Sequence, residues 1–111
     1  MITSSKKILV TGVAGFLGSH LAEKLAEMNY NVVGVDNISG GYKDNIPKNV
    51  EFFNFDCCDL GKMKLVMKDV HVVYHCAATA HEGLSVFAPY HITKNNLLAS
   101  VSVFTAAVSN K

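Results

Sequence analysis

The 111-residue sequence is short of the features that mark several functional classes. Its three cysteines, Cys57, Cys58 and Cys76, form no Cys-x-x-Cys pair. Metal ligation and redox exchange are therefore not indicated, and reduced thiols at sheet edges are expected. No apolar run approaches the roughly 18 residues of a membrane span. The opening residues Met1-Ile-Thr-Ser-Ser-Lys-Lys lack the apolar segment of a secretory signal, so a cytoplasmic location is the default. Charge of one sign is also lacking: ten basic residues stand against nine acidic ones, for a formal net charge of +1. This provides neither a nucleic-acid footprint nor a polybasic membrane patch. What remains is a half-hydrophobic composition (50%), which is that of a globular chain, and a length that suits one domain over residues 1–111.

The most informative stretch runs from Lys7 to Leu21. Ile8, Leu9 and Val10 form an apolar, β-rich run too short for a helix. Beyond it, Leu17, Leu21, Leu25 and Met28 recur at helical spacing. Gly12, Gly15 and Gly18 fall between and across the two patterns. A strand, a glycine turn and a helix in that order form the phosphate-binding corner of a βαβ unit. Gly12 can make the tight turn, Gly15 can admit a pyrophosphate close to the backbone, and Gly18 can let the helix pack on the strand. The helix N-terminus adds unpaired N–H groups and partial positive charge.

Further along, Asn31–Asp36 reads as a second buried strand ending in an acid. Asp36 lies 36 − 18 = 18 residues after Gly18, near the spacing at which a carboxylate binds a ribose 2′-OH. The same carboxylate would repel a 2′-phosphate, which favours NAD over NADP. Residues 37–49 are polar and broken by Gly40, Gly41 and Pro47, a mobile loop or a partial helical turn. Residues 50–55 read as a third strand, followed by Asp56, a candidate acceptor for an adenine amino group. Asp59 caps a short helix with Leu60, Met63 and Met67 on one face. Residues 70–76 form a fourth strand. His71 and His75 lie four residues apart within it, as packed or hydrogen-bonded histidines rather than a metal pair. Ala77-Ala78 follow, small residues suited to close passage over something flat. His81-Glu82 fall in the loop beyond, at the binding edge of such sheets. Pro89 suits the first turn of a helix whose apolar face carries Leu97, Val101, Phe104 and Val108. The order β-α-β-β-α-β-α with right-handed crossovers predicts an α/β fold, part of a Rossmann sheet in parallel order 3-2-1-4.

These pieces together resemble the extended short-chain dehydrogenase/reductase family, in particular its NAD-dependent epimerase/dehydratase group acting on nucleotide sugars. Thr11–Leu21 is similar to that group's cofactor turn. Val35-Asp36-Asn37 with Ser39-Gly40-Gly41 resembles the ribose-binding end of strand two, in the form common among UDP-sugar epimerases. Asp56-Cys57 stands where the family contacts adenine. Residues 73–78, with Ser85, Pro89 and Asn96, resemble its fourth strand and next helix. The resemblance implies NAD contacts at Gly12, Gly15, Phe16, Leu17, Gly18, Asp36, Asn37, Asp56, Cys57, Ala77 and Ala78, those of Phe16 and Leu17 through backbone amides.

In the family, a sugar hydroxyl is oxidised by hydride transfer to NAD. A Ser or Thr after strand five and a Tyr-x-x-x-Lys on the next helix carry the chemistry, the lysine lowering the tyrosine pKa. The resemblance implies that this chain stops before strand five, lacks those groups and is inactive alone, with nucleotide sugar bound only in a longer form. Tyr90-His-Ile-Thr-Lys94 has the same spacing but lies one βα unit too early. An apolar fourth strand left at the edge predicts a homodimer or edge-paired assembly. The alternative to an enzyme part is a non-catalytic dinucleotide-binding or assembly module.

Overall fold

Four parallel strands make the sheet: β1 (Lys7–Thr11), β2 (Asn31–Asp36), β3 (Glu51–Asn54) and β4 (Val70–His75), in the order β3-β2-β1-β4. The computed structural model describes residues 6–80 and 83–110, so His81 and Glu82 lie outside the described residues. Helix α1 (Phe16–Glu27) joins β1 to β2, and α2 (Leu60–Val66) joins β3 to β4. After β4 come two short helices, α3 (Leu84–Phe87) and α4 (Pro89–Thr93), one wide π turn (Lys94–Leu98), and α5 (Ala99–Asn110). Pro89 opens α4 at its first turn, where its missing N–H costs nothing.

The central strands are buried on both faces, as a parallel sheet requires. Ile8, Val10 and Val32 pack under α1 with Ala22, Leu25 and Val50. On the opposite face Leu9, Val33 and Val35 meet Met63 and Met67 of the α2 segment and Val103 and Ala106 of α5. The alternating side-chain direction of strands splits these two sets. Asp59 caps α2 as expected, its Oδ1 accepting from the Lys62 N–H at 3.1 Å. In α2 it is Val66, rather than Leu60, that joins the two methionines in the core.

One expectation is corrected. The face of α5 that packs inward is Ala99, Ser102, Val103 and Ala106. Leu97, Val101, Phe104 and Val108 are 63%, 51%, 66% and 65% exposed. Helix α5 is apolar on both sides, so periodicity alone does not select the buried one. Close approach to the bulky Met63 and Met67 does, because small side chains fill the remaining space. Of the two alternatives for residues 37–49, the partial helical turn is the one that forms. The segment contains a single 3-10 turn at Lys43–Asn45, and the Tyr42 N–H and the Asn45 Nδ2 both donate to the Ala14 carbonyl, at 3.2 and 3.0 Å. The β1–β4 register steps from Lys7↔Val70 to Ile8↔Val72, skipping His71. This bulge lets the Lys7 N–H donate to His71 Nδ1 at 3.1 Å.

Candidate cofactor cleft

A cleft of about 420 Å³ opens beyond the carboxyl ends of the strands. Doubly wound sheets bind ligands there, because the chain diverges to either side of the sheet at that point. The glycine turn forms its floor, and the turn is held from β2. The Gly12 N–H donates to the Val35 carbonyl at 2.8 Å, and the Gly15 N–H donates to the Gly12 carbonyl at 3.0 Å. Asp36 bridges two segments: its Oδ2 accepts from the Ala14 N–H at 3.0 Å and its Oδ1 from the Ile38 N–H at 2.7 Å. The second contact holds Ile38 at φ 61, a left-handed conformation that a β-branched residue adopts only under constraint. A carboxylate has about four lone-pair directions, so Asp36 retains acceptor capacity toward a ligand.

The glycines divide into three roles. Gly12 sits at φ 69, and a Cβ there would lie 2.7 Å from the Ala77 nitrogen. Gly18 is packed so closely that a Cβ would lie 2.1 Å from the Gly12 carbonyl oxygen. Gly15 lines the cleft, and a Cβ there would meet only the Gly12 oxygen, at 3.3 Å. Its missing side chain therefore leaves open a cradle that any other residue would fill, which fits a pyrophosphate lying against the backbone. Gly15 also precedes α1 without a side-chain cap. The first amides of that helix, those of Phe16 and Leu17, have no intrahelical carbonyl to reach.

Of the residues singled out from the sequence, Gly12, Gly15, Asp36, Asn37, Asp56, Cys57, Ala77 and Ala78 line the cleft. Phe16, Leu17 and Gly18 do not. The side chains of Phe16 and Leu17 are 82% and 65% exposed, and Gly18 is buried beneath the turn. Asp56 lies two residues past β3, where its Oδ1 accepts the Cys58 N–H at 2.8 Å. Cys57 is buried, and its thiol is pushed up to about 12 by burial and by the negative charges of Asp56 and Asp36. It is a neutral wall rather than a nucleophile. The three cysteines are unbridged.

Sequence reasoning missed the far end of the cleft, where Thr79, Leu84, His91 and Asn95 also line it. The π turn at Lys94–Leu98 creates this end. Its wider winding turns two consecutive asparagines toward one segment. Asn96 Oδ1 accepts from the Thr79 N–H at 2.7 Å, and Asn96 Nδ2 donates to the Thr79 carbonyl at 3.1 Å. Asn95 Nδ2 donates to Thr79 Oγ1 at 3.0 Å. The tandem Asn95-Asn96 was the available signal, since neighbouring residues of an ordinary helix do not face one target. Tyr90 and Lys94 do not line the cleft, and Tyr90 is 82% exposed.

Fold and cleft together are those of a dinucleotide-binding α/β domain. The chain belongs to the NAD-dependent epimerase/dehydratase family, whose model matches residues 8–111. It is 43% identical over 97 residues to a protein of Methanocaldococcus jannaschii provisionally named a UDP-glucose 4-epimerase, covering 86% of this chain and 32% of that one. Among solved structures it resembles the UDP-glucose 4-epimerase of Thermotoga maritima with UDP-glucose: TM-score 0.91, 35% identity, 94% of this chain and 34% of that one. The Thermus thermophilus UDP-glucose 4-epimerase in complex with NAD is similar at TM-score 0.88 and 34% identity, again over 94% of this chain and 34% of the other. The chain thus spans about a third of the length of these relatives. Among the described residues no helix is long and apolar enough to cross a membrane.

Proposed function

We propose that residues 1–111 are the NAD-binding domain of an enzyme that modifies a nucleotide sugar, with the catalytic Ser/Thr and Tyr-x-x-x-Lys region outside this chain. The observation that carries this reading is the joint placement of Gly15, open toward the cleft, and Asp36, pinned to the glycine turn from the end of β2. Asp36 and Asn37 would hold the adenosine ribose, with Asp56 and Cys57 beside the adenine. Gly12, Gly15 and the amides of Phe16 and Leu17 would face the pyrophosphate, while Gly18 keeps α1 close enough for them to do so. Ala77 and Ala78 would leave room along the opposite wall. Bound NAD would supply a hydride acceptor for a sugar hydroxyl. The chain's own residues bind and orient it, and the π-turn asparagines fix the wall at Thr79.

The NAD-bound relative from Thermus thermophilus and the UDP-glucose-bound relative from Thermotoga maritima support cofactor and substrate class alike. Cytoplasmic residence agrees with three unbridged thiols. Calorimetric titration tests the reading. Saturable NAD binding is expected, with NADP weaker, and Asp36→Ala should weaken NAD and narrow the preference. No saturable binding, or equal affinities in the Asp36→Ala variant, would overturn it. In a longer active form, Tyr90→Phe should leave turnover largely intact.

Self-association is a second reading, favoured by β4. It forms one edge of the described sheet, with Val72 and Tyr74 42% and 40% exposed. This chain should sediment as a dimer or edge-paired assembly, and a monomer at high concentration would refute that.

A further inference from the structure

A chain of polar contacts links β1, β4 and α5 behind the cleft. The Ser100 hydroxyl donates to the Asn96 carbonyl at 2.6 Å. Ser100 Oγ lies 3.1 Å from His75 Nε2, and His75 Nδ1 lies 2.7 Å from Thr11 Oγ1. At the far end the Ala77 N–H donates to Thr11 Oγ1 at 3.1 Å. The Asn96 end fixes the direction at Ser100, because a carbonyl only accepts, and the charge state of the ring then decides the direction at Thr11. The one proton of Ser100 goes to Asn96, so Ser100 must accept from His75 Nε2–H. Burial lowers the pKa of His75, so at neutral pH the ring is uncharged and its Nδ1 carries a lone pair. Thr11 therefore donates its proton to Nδ1, and its oxygen is left to accept from Ala77.

We propose that neutral His75, as the Nε2–H tautomer, is a positioning residue for the cofactor cleft, orienting the Thr11 hydroxyl so that it holds the Ala77 amide against the end of β1. This rests on reading the cleft as an NAD site. Ala77 follows β4 in a segment without regular structure, and its nitrogen lies beside Gly12. A displaced Ala77 would therefore disturb the wall and the glycine turn together. Thr11 is fully buried, so its hydroxyl has no water to turn to if the histidine partner is lost. His71 serves as the contrast on the same strand. Its Nδ1 takes the Lys7 amide at the opposite end of the sheet and touches nothing in the cleft.

The test has two arms. In ligand-free protein labelled with ¹⁵N-histidine, long-range ¹H–¹⁵N correlation at neutral pH should show His75 protonated at Nε2 and bare at Nδ1. A protonated Nδ1 would overturn the proposal. In NAD titrations, Thr11→Val, which keeps the shape and removes the hydroxyl, should bind about tenfold more weakly. Thr11→Ser should restore affinity to within about twofold of the parent and return the Ala77 amide resonance to its position. Parental affinity in Thr11→Val, or failure of Thr11→Ser to rescue it, would overturn the proposal. If the parent chain binds no NAD, the cofactor reading fails, while the tautomer and the Ala77 resonance in the two Thr11 variants still decide the positioning role. If Thr11→Val does not fold, the tautomer and the Thr11→Ser resonance decide it.

Discussion

Gly18→Ala sets two effects of opposite sign against each other. Gly18 is the third residue of α1, and in a helix interior alanine is favoured over glycine by about 1 kcal/mol. Helix propensity alone therefore predicts a more stable protein. The added Cβ, however, would lie 2.1 Å from the Gly12 oxygen, 2.7 Å from the Gly12 carbonyl carbon and 3.2 Å from Val13 Cα, where ordinary contact begins near 3.4 Å. All three atoms are backbone. Gly12 has no room to retreat, since its amide is bonded to Val35 and its own missing Cβ would lie 2.7 Å from Ala77 N and the Cys76 carbonyl carbon. Overpacking of this kind costs about 3 kcal/mol. The net expectation is a loss of about 2 kcal/mol, or a fall in Tm of roughly 10 °C for a domain of this size. Thermal and urea unfolding followed by circular dichroism would measure it, with the midpoint falling at unchanged m-value. A variant that melts at or above the parent temperature would refute the close approach of α1 to the glycine turn.

Gly34→Ala would set a Cβ 2.7 Å from both γ-carbons of Val13. It should cost about 2 kcal/mol, and pairing it with Val13→Ala should recover at least about 1 kcal/mol of coupling in a double-mutant cycle; additive costs would count against it. Ser102 carries a buried hydroxyl with no hydrogen-bond partner among the described residues, so Ser102→Ala should raise stability by about 1 kcal/mol in urea melts, and a loss would show that the hydroxyl is satisfied. Cys57 should alkylate at least about a hundredfold more slowly in the native chain than in urea at pH 8, by mass spectrometry of the labelled peptide; equal rates would place it at the surface. Its folded-state pKa, raised from 9.0 to about 12, sets the sign of the accompanying pH effect. The unfolded thiol loses its proton first, so the contribution is full below pH 9.0 and is lost as pH rises toward 12.

Much of the fold was legible because local chemistry and tertiary demand agree in it. Ile8-Leu9-Val10 is too short and too β-branched to be anything but a buried strand, and the glycine spacing fits one kind of corner. Asp36 was legible for the same reason: a carboxylate at the end of β2 has the turn amides within reach wherever that corner forms. The far end of the cleft was not legible. Its residues come from two short helices and a π turn whose winding no hydrophobic period announces. The inward face of α5 was misjudged because apolar residues lie on more than one side of the helix, Ala99, Val103 and Ala106 on one and Val101, Phe104 and Val108 on another, so the pattern carries no single phase.

The sequence by itself determined the element order through β4, the 3-2-1-4 sheet, the corner at Gly12–Gly18 and the carboxylate opposite it. The strand order follows from the handedness of the crossovers and the doubly wound pattern, and the rest from backbone sterics and short-range periodicity, which act within a few residues. Only the tertiary structure decided which side of α5 is buried, how Asn95 and Asn96 share Thr79, and that Thr11, His75 and Ser100 form one directed chain. Those outcomes depend on which groups meet across the sheet. In the case of His75, Ser100 supplies one end of that choice and Thr11, sixty-four residues away, the other.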